Sequence, residues 1–470
     1  VAFQEILLKV FSNSISTELS MITFPRKKGT QQLILSRKSL LVIGLSVLGG
    51  TVSPVSAAPI THYFTINPIR ICNTAATTCA PTPFFPNETY KIYSQVGVAP
   101  IFLPIKQINN SSLLTVNGVA NVSVPGNGQH PNPTTINAWF TNSLNSAPGS
   151  VLYGEAWLGG NGLVINGSAV QSFPPSGRKD TFAHEVGHNL GLGHSDFGAG
   201  AGNNLMTAGS SRLIPGGVGD ITPDGANLSQ LTASQKTKLL ASPFLAPVPD
   251  VLIDTRGSTP FDSNDFFLVK FNSGGASNVF LKSLKVDLTP VNAFFDSTNI
   301  SPGNSSSPFA ISAADLIGLS ASDITLAGGN AALNGQQSMT LTFADNAFKA
   351  GDSFRFGVDI DLFSGIDNFG ATPSELIGSL FSFVFSDGFA VQSALDADLT
   401  ASSTLPNGLP TFVGDPSGGV NVSPGTITDD PDPVPTNGLV PTPAPLPVLG
   451  VLSALRCART LRKRTKIARL

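Results

Sequence analysis

Residues Asp180–Ser195 read DTFAHEVGHNLGLGHS, and three of the chain's five histidines fall inside this stretch. A helix from Lys179 to Leu190 places His184 and His188 on one face, because residues four apart are neighbours on a helix surface. Two imidazoles so placed can meet one metal ion at about 2.0–2.1 Å each. Ala183, Val186, Gly187 and Leu190 share a second face suited to packing on a core. Asp180 stands at the N-cap position. Glu185 lies beside His184 and one turn from His188, so it reaches the metal's open side without being a ligand. A straight helix would carry His194 away from the metal. Gly191 readily takes the left-handed conformation that ends a helix, and the turn brings His194 back as a third ligand.

Three neutral histidines leave a fourth position for water, whose pKa zinc lowers to about 7. Glu185 can take that water's proton during attack and pass it to a leaving amine. The expectation is one catalytic Zn2+ on His184, His188 and His194, with Glu185 as catalytic base and a peptide bond as substrate. The pattern His184-Glu185-x-x-His188-x-x-Gly191-x-x-His194 resembles the metzincin zinc peptidases, and Met206 in Asn204-Leu205-Met206-Thr207 resembles their Met-turn. The resemblance covers residues 85–245. It implies a twisted sheet with two long helices above a loop-rich subdomain, a hydrophobic floor from Met206 under the zinc, and peptide bound along an edge strand. Gly154-Glu155-Ala156-Trp157-Leu158 is the candidate strand, with main-chain pairing at Gly154, Ala156 and Trp157. Core packing is an equal reading of Trp157. Thr207 stands where several metzincin subfamilies have Tyr.

Outward from this segment, Thr89–Val98 reads as a helix running into a strand, and Thr134–Leu144 as a second helix. Val151–Ile165 reads as strand, Gly-rich turn, strand. Leu231–Ser242 reads as a helix with Thr232 as N-cap. His62 and His130 read as surface histidines. Residues 58–85 could act as a short mask over the site. Pro243–Asp250 (PFLAPVPD) reads as a linker. Beyond it, Leu284, Val286 and Leu288 alternate with polar neighbours, as do Phe354, Phe356, Val358 and Ile360. The predicted fold class is therefore an α+β metzincin-like catalytic domain (58–245) followed by an all-β sandwich domain (250–400). Asp359, Asp361 and Asp367 could bind Ca2+ or be solvated loop carboxylates.

The ends read as addresses. Arg26, Lys27, Lys28, Arg37 and Lys38, the apolar run Leu40–Leu48 and Val55-Ser56-Ala57 predict a signal peptide over 1–57, with Met21 a candidate start. Residues 401–445 read as a disordered Pro/Gly-rich spacer. Residues 446–470 form an apolar-basic tail. Pro443-Ala444-Pro445-Leu446-Pro447-Val448-Leu449-Gly450 and Arg459-Thr460-Leu461-Arg462-Lys463-Arg464 resemble the PEP-CTERM sorting tail of exported proteins in Gram-negative bacteria. That resemblance implies export and C-terminal sorting machinery as partners, and release to the cell surface or outside. Cys72 and Cys79 predict a disulfide closing a small loop, a zinc-masking thiol being the other reading.

The formal net charge is −3, but its distribution is uneven. Residues 1–57 hold six Lys/Arg against two Asp/Glu, and 446–470 hold seven against none, which leaves 14 basic and 28 acidic residues between. An acidic body argues against nucleic acid or anionic membrane as a partner and is compatible with soluble export and with divalent cations; the expected state is a monomer. Two function classes follow. One is a secreted or cell-surface zinc endopeptidase acting on protein or peptide. The other is a surface or matrix protein that binds through the β-rich part, extracellular polysaccharide included, with an idle metzincin scaffold. Glu185 discriminates them, since a scaffold needs no base beside the metal.

Overall fold

In this computed structural model, the strand His62–Cys72 is the axis of a mixed sheet. The structure describes residues 59–145, 152–194, 196, 198, 200–257, 259, 265–275, 278–298, 306–364, 370–413 and 426–429. The segments read as leader and sorting tail, together with Asp367, lie outside these residues. The strand order is Val98–Phe102, His62–Cys72, Thr135–Thr141, Gly162–Asn166, Gly154–Leu158, Thr426–Asp429. The first four are parallel, with Thr65 opposite Thr135 and Asn137 opposite Gly162. Gly154–Leu158 runs antiparallel to both of its neighbours.

Every residue of Thr135–Thr141 (TINAWFT) is buried. The helix expected over Thr134–Leu144 is thus a central strand instead. Its alternation is hidden because both faces are covered, as parallel strands require. Ile136, Ala138, Phe140, Leu163 and Ile165 face a helical layer. That layer brings Ile92 and Tyr93 from the helix Pro86–Ser94, and Phe182, Ala183 and Val186 from the helix Thr181–Asn189. Trp139, Trp157 and Val164 point to the opposite face, with Ile69 and Ile71. The reading of 58–85 as a mask fails, because His62–Cys72 lies inside the sheet and is almost wholly buried. A disulfide joins Cys72 to Cys79 and pins the turn after this strand.

Two antiparallel sheets follow. One has the order Ala310–Ile311, Ser353–Gly357, Phe267–Ser273, Asp250–Thr255, Thr400–Ser402. The other has the order Ile324–Leu326, Ser338–Phe343, Leu281–Asp287, Leu380–Phe385, Phe389–Ala394, Thr411–Phe412. Val269, Phe271, Phe354 and Phe356 of the first share one hydrophobic cluster with Leu284, Val286, Phe381, Phe383 and Phe385 of the second. Each fully buried Phe contributes roughly 1.5–3 kcal/mol by leaving water. The same cluster takes in Ile60, Tyr63, Ala99 and Ile101 of the mixed sheet. The ring of Tyr63 stacks on Phe389 at 4.8 Å, and its hydroxyl donates to Asp387 Oδ2 at 3.1 Å. The described residues from 59 onward form one compact unit, mixed α/β in content, with many strands and few helices.

Candidate metal centre

The helix Thr181–Asn189 is closed by Gly191 at φ 96°. The Leu192 N–H donates to Gly187 O at 2.9 Å and the Gly191 N–H to His188 O at 2.8 Å. This is the paired bonding of a Schellman motif, which turns the chain back over the helix end. His184, His188 and His194 consequently converge. Their Nε2 atoms lie 3.1 Å (His184–His194), 3.2 Å (His184–His188) and 3.0 Å (His188–His194) apart. Three nitrogens each 2.0–2.1 Å from a tetrahedral zinc stand about 3.3 Å apart, so the donor set fits that ion. Nδ1–H of His188 donates to Leu192 O at 2.7 Å, and Nδ1 of His184 lies 2.7 Å from Leu205 O. The carbonyl at Nδ1 of His188 fixes the tautomer that leaves its Nε2 free to face the common point. His184 and His188 are fully buried, while His194 is half-buried at the rim.

Asp180 occupies the N-cap position, but its carboxylate makes no capping bond. It faces Arg212 instead, with Nε 3.3 Å from Oδ2 and both side chains fully buried. The Ser229 hydroxyl donates to the same oxygen at 3.3 Å. Arg212 Nη1 donates to Thr207 O at 2.9 Å and lies 2.7 Å from His184 Nδ1. A buried guanidinium needs a paired charge far more than this helix needs a cap. Sequence spacing gave no sign of this pair, because Arg212 is 32 residues away in a loop-rich stretch.

Glu185 is fully buried beside the histidines. A Cβ on Gly154 would stand 2.6 Å from its Cγ and Oε1, so the carboxylate is packed directly against the strand Gly154–Leu158. Tyr93 lies behind the helix and donates to Ala183 O at 2.7 Å. Burial pushes its phenol well above the ordinary range, and the Glu185 charge pushes it further, so the group stays a neutral donor. Met206 is fully buried against the same helix, its Sδ 2.6 Å from where a Cβ on Gly187 would be. The turn that carries it is tied to the helix Ala233–Leu240 by two bonds between the side-chain amides of Asn204 and Gln235, each 3.0 Å. Thr207 donates to Ala201 O at 2.6 Å and accepts from Gly200 N–H, so its hydroxyl is engaged with backbone.

Asn189, on which the sequence reading placed no weight, joins helix to sheet. Its amide donates to Trp157 O, Gly160 O and Gly162 O at 3.1, 2.7 and 2.9 Å. Trp157 is a core residue, its ring packed over Gly162 and only 5% exposed. His130, expected on the surface, is buried, and its Nδ1 accepts from Asn132 N–H.

The strand carrying Gly154, Ala156 and Trp157 is not the last in its sheet. Thr426–Asp429, inside the stretch expected to be a disordered spacer, pairs with it antiparallel. Thr426 lies opposite Leu158 and Asp429 opposite Glu155. An open edge is a row of unpaired N–H and C=O groups that any extended segment can complete, and polar composition alone does not reveal such a partner. A second group of side chains close enough to share a metal ion, Asp296, Asp359 and Asp361, lies in the β-rich part.

No family model matches the chain, and no curated protein matches it. Among solved structures, the chain is similar to archaemetzincin from Archaeoglobus fulgidus, determined with malonate, at 19% sequence identity. The match covers 37% of this chain and 99% of that one, with a TM-score of 0.22. The chain itself carries a three-histidine group able to hold a metal ion.

Proposed function

We propose that the chain is a zinc-dependent endopeptidase. The observation that carries this is the convergence of three Nε2 atoms at 3.0–3.2 Å beside the buried carboxylate of Glu185. His184, His188 and His194 would hold the ion, which when bound supplies a Lewis acid for a carbonyl and acidifies a water molecule. Glu185 receives the proton of the attacking water and returns it to the departing amine. Gly154, packed directly on that carboxylate, keeps it close to the histidines. Met206 supports the helix in the manner of a Met-turn, and the outer edge of Gly154–Leu158 receives an extended peptide when Thr426–Asp429 leaves it. Export as a signal-peptide-bearing, PEP-CTERM-like protein, with action at the cell surface or outside as a monomer, completes the reading, and the β-rich part acts as a sandwich domain.

The second reading, a surface binding protein with an idle peptidase scaffold, is favoured by the Thr426–Asp429 pairing, which occupies that outer edge. Zinc content and casein cleavage of the full chain, beside Glu185→Ala, separate the two. The expected result is one zinc in each protein with turnover only in the parent. Equal cleavage by Glu185→Ala would remove Glu185 from the mechanism, and absence of zinc from both would remove the peptidase reading altogether.

A further inference from the structure

The second carboxylate group arises from strand pairing. Ala293–Phe295 runs antiparallel to Ile360–Leu362, with Phe294 opposite Asp361. The Asp296 N–H donates to Asp359 O at 2.9 Å, which continues the pairing by one rung. Residues two apart on a strand share a face, and directly opposed residues share it too. Asp296, Asp359 and Asp361 therefore point the same way, and one oxygen of each lies within 4.8 Å of the others. They are 1%, 3% and 2% exposed. Among the described residues, neither carboxylate oxygen of Asp296 has a hydrogen-bond partner.

Three carboxylates in one dry site cannot all ionise without a compensating charge. A single proton relieves only part of the charge and gives at most one Asp296 oxygen a partner. A cation relieves both. Gly370, at φ 64°, brings the backbone close against this group, since a Cβ there would stand 2.9 Å from Asp359 Oδ1 and 2.0 Å from Thr259 O.

We infer that Asp296, Asp359 and Asp361 form a calcium site, with the carbonyl of buried Thr259 at its border. An all-oxygen set of carboxylates and carbonyl suits a hard cation and not zinc, and its irregular form suits Ca2+ over the strict octahedron of Mg2+. The ion would cross-link a two-stranded sheet too short to stand alone. The site shares no residue with the histidine centre and stands independently of the peptidase reading.

The test is equilibrium dialysis with radioactive calcium on the full chain, stripped by chelator and resupplied with zinc, together with thermal melts. At about 1 mM free calcium the parent should retain one calcium and gain roughly 2–5 °C in Tm. Asp296→Asn should lose both effects, Asp361→Asn should do the same if Asp296→Asn fails to fold, and His184→Ala should keep both. Three results would overturn the site: no calcium on the folded parent, calcium retained equally by Asp296→Asn, or calcium lost in His184→Ala alone. An equal Tm gain from magnesium, with no calcium retained, would overturn the choice of ion.

Discussion

Gly154 is where the candidate chemistry meets the sheet. Any side chain there would enter the volume of Glu185, since a Cβ stands 2.6 Å from Cγ and Oε1. Gly154→Ala should therefore displace the carboxylate while leaving the histidines in place. Kinetics should show kcat lowered on the order of 10²-fold, the scale on which a misplaced catalytic group acts, with zinc content unchanged. Unchanged kcat would mean that Glu185 does not act from this position. At this scale the sequence was most legible where chemistry and spacing coincide. His184, His188 and His194 could be named because a helix and a glycine turn suffice to place them. Asp180 could not be read correctly, because Arg212 reaches it across the fold. Asn189 and Tyr93 were silent for the same reason: their partners are backbone carbonyls set by tertiary packing.

The strand pairing of Thr426–Asp429 with Gly154–Leu158 is the element with the largest functional weight. An antiparallel segment on that edge competes with any extended peptide for the same main-chain groups. Replacing Ile427 and Thr428 together by proline removes two successive N–H donors, one of which faces the neighbouring strand whatever the phase. Casein turnover by this variant should rise severalfold over the parent. Turnover equal to the parent would show that the segment does not limit access. Helices and hairpins with local signatures could be anticipated. Thr232 caps the Ala233–Leu240 helix through a full capping box with Gln235, as its sequence suggests. Thr135–Thr141 misled because a strand buried on both faces shows no period of two.

Across the whole molecule, Tyr63 and Asp387 join the mixed sheet to the β-rich part. Burial holds the Asp387 carboxyl above its ordinary range. A folded pKa above the unfolded one contributes stability that is complete below the unfolded value and is lost as pH rises through the folded value. Asp387→Asn lacks that loss, so its Tm should exceed the parent's at neutral pH, and the gap should narrow as pH falls toward the ordinary carboxylate range. A gap constant with pH would mean that Asp387 ionises as freely in the folded chain as in the unfolded one. The alternation of Leu284 and Val286 or of Phe354 and Phe356 announced strands, but not that their cluster continues into Ile60, Ala99 and Ile101.

That continuity changes what a peptide-bond cut would do. The linker-like stretch Pro243–Asp250 is itself threaded into the structure, Ala246–Pro247 pairing with His62–Tyr63. A nick there by a neighbouring protease would sever the covalent chain without creating two particles. The fragments would stay wedded through the Tyr63–Phe389 stack and the apolar surface around it. A chain so built tolerates clipping between its mixed sheet and its β-rich part.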